Sequence, residues 1–163
     1  MSSYTTNSAK ETKEVAKNIL PLLKPKDILC LEGDLGTGKT SFSQGLLEAL
    51  GAQKPYTSPT FLIIKEYTLE QKHSSGIDTI YHIDAYRIVS KDLLEQGWND
   101  IITNPTALTL IEWPERITEI IPSYATTLSF AWESERERII TIPDISPTDN
   151  APTTDDPKKS PFL

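Results

Sequence analysis

Eight consecutive residues, Gly33-Asp-Leu-Gly-Thr-Gly-Lys-Thr40, have the composition of a phosphate cradle. They satisfy G-x-x-x-x-G-K-[ST] in full, a match that chance produces in about 0.5–1% of chains this long at ordinary residue frequencies. Gly36 and Gly38 let the main chain curl so that successive N–H groups converge on an anion with no Cβ in the way. Gly33, Asp34, Leu35, Thr37 and Ser41 complete the expected nucleotide-binding segment. A helix starting near Lys39 would add the positive end of its dipole. Lys39 is then placed to bridge β- and γ-phosphate oxygens, and the Thr40 hydroxyl to ligate magnesium. The expected ligands are therefore ATP and Mg²⁺.

Such a loop needs a second carboxylate to hold the metal or its waters, and open α/β sheets present their ligands at the carboxyl ends of strands. Two acids occupy that position: Asp84 after Ile80-Tyr-His-Ile83, and Glu112 after Leu108-Thr-Leu-Ile111. Asp84 is assigned to Mg²⁺ or its water shell. Glu112 is placed to ligate the metal, orient the attacking water or accept its proton, and spacing alone leaves those roles undivided. Thr57-Ser-Pro-Thr60 is either a switch that senses the γ-phosphate or a proline turn. Arg87 either stabilises charge developing in phosphoryl transfer or pairs with a surface carboxylate. Trp113 is read as core packing rather than a ligand contact. Neither His73 nor His82 has neighbours at metal-ligand spacing, and no nucleophile triad or zinc pattern occurs.

The elements that must position these groups are legible in outline. Ser8-Ala-Lys-Glu11 fits a capping box, and Val15, Ile19, Leu22 and Leu23 recur at helical spacing, predicting a helix over 8–23 that frays at Pro21. Asp27–Glu32 reads as a buried strand because its apolar residues are continuous. The loop follows, then a helix over Lys39–Leu50 closed by Gly51. Phe61–Thr68 and Thr79–Ile83 are expected as a hairpin, Asp92–Gln96 and Trp98–Ile102 as short helices broken at Gly97, and Ala107–Ile111 as a second buried strand. Ile117–Ile121 adds a helical turn, and Thr126–Trp132 with Glu137–Ile142 an antiparallel finish. Strand–loop–helix units with apolar strands predict a three-layer α/β fold with a partly parallel sheet.

Composition narrows the setting. At 163 residues the chain suits one domain, read as 1–143, with 144–163 as a flexible acidic tail. Five of the twelve prolines fall between Pro143 and Leu163, amid Asp, Ser and Thr and almost no apolar residues. The net charge of −7 opposes independent binding to nucleic acid, since an acidic body repels phosphate backbones. The lone Cys30, inside an apolar run, is a buried thiol rather than a reactive one. No run is long enough to span a membrane and the N-terminus lacks an apolar signal core, so a cytoplasmic location is expected.

Together GDLGTGKT, TSPTF, HIDAYRI and IEWPER, in this order, resemble the TsaE (YjeE) family, from about Thr12 to Arg138. The resemblance implies a P-loop ATPase of bacterial tRNA threonylcarbamoyladenosine biosynthesis, with a three-layer P-loop α/β fold whose parallel central sheet is flanked by antiparallel strands. It implies partners too, the threonylcarbamoyl transferase heterodimer of TsaD and TsaB, with tRNA met only through them. By the same resemblance Thr40 and Glu112 hold Mg²⁺, Asp84 is functionally important, Ser58–Phe61 behaves as a switch, and Thr12 and Arg136 or Arg138 approach the nucleotide. Ala85 stands where the family commonly has Leu, and the tail has no obvious counterpart. Two other readings compete. One is a non-hydrolysing module whose nucleotide state sets partner affinity. The other is a small-molecule kinase, which would need an arginine-rich lid that is not evident between Lys39 and Glu112. A guanine-reading N-K-x-D segment is also lacking.

Overall fold

The structure is a computed structural model that describes residues 1–57, 59 and 62–145. Ser58, Thr60 and Phe61 of the expected switch, and all of the expected tail beyond residue 145, lie outside the described residues.

A seven-stranded sheet forms the middle layer. Its strands are β1 (Ser2–Thr6), β2 (Ile28–Gly33), β3 (Ile64–Thr68), β4 (Thr79–Asp84), β5 (Ala107–Glu112), β6 (Thr126–Trp132) and β7 (Arg138–Ile142). The spatial order is β1-β7-β6-β2-β5-β4-β3. The four central strands β6, β2, β5 and β4 run parallel, whereas β3 pairs antiparallel with β4 on one edge and β7 pairs antiparallel with both β6 and β1 on the other. The apolar strand pattern predicts a partly parallel sheet, and the parallel centre with antiparallel flanks is the arrangement the resemblance implies.

The continuous apolar character of β2 and β5 has a direct cause. Successive side chains on a strand point to opposite faces, and here both faces are covered. Leu29 and Leu31 enter one core with Phe42, Leu46 and Leu47, under the helices α1 (Ala9–Ile19) and α2 (Lys39–Leu50). Ile28 and Cys30 enter the other with Leu93, Trp98 and Ile101, under α3 (Ser90–Glu95) and α4 (Trp98–Thr103). Burial pushes the Cys30 thiol up to about 12, with Glu32 adding to the shift. The indole N–H of Trp98 donates to the Ile120 carbonyl at 3.1 Å, so this large side chain is buried with its polar atom satisfied.

α1 starts as its cap predicts, with Ser8 Oγ accepting from Glu11 N at 3.2 Å. The reciprocal half differs: Glu11 Oε2 accepts from Asn7 N, at 2.7 Å, rather than from Ser8. The regular helix stops at Ile19 and tightens into a 3₁₀ turn, Leu20–Leu22, because Pro21 has no N–H to continue the ladder. α1 lies very close to α2. A Cβ at Gly45 would sit 2.7 Å from the Lys13 Cα, so only glycine permits this spacing. β1 carries no strand signature, its pattern being polar and mostly exposed. It pairs residue for residue with β7, from Ser2 opposite Ile142 to Thr6 opposite Arg138, and so brings the N-terminus behind the loop.

Candidate functional site

The loop between β2 and α2 makes three left-handed excursions, at Gly33, Gly36 and Gly38. Gly38, at φ 106°, is the N-cap of α2 and supplies no side-chain cap, which leaves the first-turn amides to whatever occupies the loop. Thr37 is buried, its hydroxyl tied to the Asp34 carbonyl at 2.7 Å, so the loop is held curled. Lys39 folds back over it, donating to the carbonyls of Gly33 and, at 2.8 Å, Asp34. Its ammonium also lies 3.9 Å from the Trp113 ring centroid. Burial lowers the Lys39 pKa below its ordinary value, partly opposed by Glu112, Glu115, Asp34 and Asp84. An ammonium held against neutral carbonyls and a ring face is poised to exchange them for an anion.

The two strand-end acids meet at this loop. β4 and β5 are parallel neighbours in register, with Asp84 opposite Glu112 at their carboxyl ends. Glu112 Oε2 accepts the Thr40 hydroxyl at 2.9 Å, joining residues 72 positions apart. Asp84 Oδ1 accepts the Tyr86 amide at 3.0 Å. A cavity of about 460 Å³ opens here, lined by Leu35, Gly36, Gly38, Lys39, Thr40, Ser41, Asp84, Tyr86, Arg87, Glu112 and Trp113. Its size and its mix of apolar walls with a few convergent polar groups suit a small anionic ligand.

The other expected residues support the loop from behind. Thr12 is buried, its hydroxyl paired with Thr6 at 3.0 Å and bonded to the Ser8 carbonyl. It packs against Gly38 rather than lining the cavity. Of the two arginines left open, Arg138 reaches the loop: its Nε donates to the Gly36 carbonyl at 3.1 Å while its guanidinium stacks 4.5 Å from the Trp132 ring. Arg136 lies in the β6–β7 turn beside Ser134. Gly33 and Asp34 face the cavity through neither side chain nor wall; they hold Lys39.

Two contributors escaped sequence reasoning. Trp113 packs on the second core as expected, yet it also forms a cavity wall. Its backbone turns left-handed at φ 62°, and its ring meets Tyr86 at 4.8 Å between centroids. His82, set aside for want of metal-binding neighbours, places Nε2 2.7 Å from Glu112 Oε1. The alternation of His82 and Asp84 on one strand face, opposite Leu110 and Glu112, was the available signal. Among the described residues there is no cluster of three or more His, Cys, Asp or Glu that could hold a metal by itself. A magnesium ion asks for less, because it keeps several waters and takes one or two carboxylates beside phosphate oxygens. The pairing of Thr40 with Glu112, at the mouth of an uncapped helix, fits such an ion.

A family model described as Threonylcarbamoyl adenosine biosynthesis protein TsaE matches residues 6–140. The chain belongs to the TsaE family. It is 38% identical over 139 residues to the tRNA threonylcarbamoyladenosine biosynthesis protein TsaE of Bacillus subtilis (strain 168), covering 85% of this chain and 83% of that protein. It is 33% identical over 138 residues to the protein of the same description from Treponema pallidum (strain Nichols), covering 84% and 96%. The fold is similar to the crystal structure of Bacillus subtilis YdiB, with a TM-score of 0.66 and 33% identity over 86% of this chain and 83% of that one. The TsaE match takes in the loop, both strand-end acids and Arg138. No helix among the described residues is long and apolar enough to cross a membrane.

Proposed function

We propose that this chain binds Mg²⁺-ATP in the β2–α2 loop and hydrolyses it as the ATPase component of tRNA threonylcarbamoyladenosine modification. Its partners in that reading are the TsaD–TsaB transferase heterodimer, through which alone it meets tRNA. One observation carries the nucleotide assignment: the Thr40 hydroxyl and the Glu112 carboxylate, 72 positions apart in sequence, meet at 2.9 Å beside an uncapped helix start. The main-chain amides of residues 33–41 cradle the phosphates. Lys39 leaves the carbonyls of Gly33 and Asp34 for β- and γ-phosphate oxygens. Thr40 and Glu112 would hold a magnesium ion and Asp84 its waters, and the ion would supply charge neutralisation at the phosphates. Leu35, Gly36, Thr37, Gly38 and Ser41 shape the cradle, while Thr12 and Arg138 brace it.

The engagement of both Glu112 oxygens, one by His82 and one by Thr40, favours a slow enzyme when alone. A partner that reorients Glu112 toward an attacking water would complete the site. The same observation supports the second reading, in which nucleotide binding without hydrolysis sets partner affinity. Hydrolysis is measured with the transferase pair present. Lys39→Ala and Glu112→Ala should each abolish the stimulated rate, and wild-type turnover in either variant refutes the assignment. Modification supported equally by ATP and a non-hydrolysable analogue would select the second reading.

A further inference from the structure

Glu112 reaches two partners in opposite directions. Its Oε2 meets Thr40 in the loop, while its Oε1 lies 2.7 Å from His82 Nε2 inside the sheet layer, where both side chains are almost wholly buried. We propose that His82 is a positioning residue for the metal site, its Nε2–H clamping one carboxylate oxygen so that only the other is presented to Thr40 and the magnesium ion. This rests on the reading of Glu112 as a magnesium ligand.

The tautomer follows from the ring's surroundings. His82 Nδ1 is buried with no hydrogen-bond partner among the described residues. With the proton on Nε2, the ring donates to the carboxylate and leaves only a bare acceptor at Nδ1. With the proton on Nδ1, two lone pairs would face each other at 2.7 Å and a buried N–H would stand unpaired, which costs the full desolvation of that group. The bond is charge-assisted and shielded from water, conditions in which a single hydrogen bond can lock a rotamer. A glutamate has a long side chain with several torsions, and without the clamp it would have to be ordered when the metal binds.

Removing an outer-shell partner of a metal ligand typically costs 10–100-fold in metal affinity. The direct experiment titrates Mg²⁺ into the full chain with a fluorescent ATP analogue and compares wild type, Glu112→Ala, His82→Leu, His82→Asn and His82→Gln. Glutamine carries its amide nitrogen where Nε2 stands; asparagine reaches only the Nδ1 position. His82→Leu and His82→Asn should raise the half-saturating Mg²⁺ concentration about 10–100-fold, with metal-free nucleotide affinity unchanged, and His82→Gln should restore most of the loss. Wild-type midpoints in the leucine and asparagine variants, beside a Glu112→Ala chain that has lost its Mg²⁺ response, overturn the clamp and leave the magnesium site standing. A Glu112→Ala chain with a normal Mg²⁺ response overturns the site and the clamp together. Should the apolar variant fail to fold, a long-range ¹H–¹⁵N spectrum of the wild type decides: the Nε2–H pattern for His82 supports the clamp and the Nδ1–H pattern overturns it.

Discussion

Replacing Gly38 by alanine separates the conformational demand of the loop from its chemistry. At φ 106° and ψ 8° this residue lies outside the region that L side chains favour. The added Cβ would meet Thr12 Cγ2 at 3.4 Å and Arg138 Cδ at 3.7 Å, ordinary contacts, so conformation and not space sets the cost. That cost is about 1–3 kcal/mol, or a fall in melting temperature of about 2–12 °C at roughly 2–4 °C per kcal/mol for a chain of this size. Gly51 supplies the control. It closes α2 at φ 79° with nothing within 4 Å of a new Cβ, far from the cavity lining. Alanine there should cost about 1–2 kcal/mol through left-handed strain alone. Saturating Mg²⁺-ATP, at about 100 times its dissociation constant, stabilises the folded state by about 2.7 kcal/mol. Thermal unfolding with and without nucleotide should show that gain intact in Gly51→Ala and largely lost in Gly38→Ala, where the relaxed backbone no longer aims its amides inward. Equal gains in the two variants would refute the reasoning.

Trp113 should report ligand binding, because Lys39 must leave its ring face to reach a phosphate. In a Trp132→Phe background, which silences the ring beside Gly36, Mg²⁺-ATP should change the intrinsic fluorescence and Trp113→Phe should remove most of that change while buried Trp98 stays silent; an undiminished signal contradicts the movement. Cys30 should resist alkylation at pH 8 in the native state and react fully once unfolded, as mass spectrometry can count; native labelling contradicts its burial. The same thiol sets a pH term. Its folded pKa is raised to about 12 from 9.0, so above pH 9 the unfolded state holds fewer protons and stability falls as pH rises towards 12. At pH 10 the loss is about 1.4 kcal/mol. Denaturant titrations at pH 8 and pH 10 should show a loss larger in the wild type than in Cys30→Ala by about that increment.

How much of this was legible beforehand depends on the range of the interactions involved. The loop, β2 and α2 are adjacent in sequence, so their glycines, apolar run and C-terminal Gly51 stated them locally. β5 showed itself because two covered faces demand an unbroken apolar segment, and Asp84 and Glu112 followed from their places after such segments. β1 did not, because Ser2–Thr6 has a mostly exposed, polar pattern and is a strand only by pairing with β7 near the far end of the described chain. Which arginine contacts the loop depends on the register of the β6–β7 hairpin, which leaves Arg138 opposite Trp132. His82 lay hidden for the same reason: its partner is 30 residues away, and spacing rules for metal ligands look for neighbours in sequence. Ala85 is wholly buried in the second core.

Central to the account is a triphosphate held by the amides of one turn and a metal held between two strands and a helix. A crystal structure of the chain with Mg²⁺ and a non-hydrolysable ATP analogue tests this most directly. The phosphates should lie against the amides of residues 36–41, with the metal between Thr40 Oγ1 and Glu112 Oε2 and Lys39 swung onto the phosphates. A nucleotide bound elsewhere, or a loop left empty with Thr40 still bonded to Glu112, would contradict it.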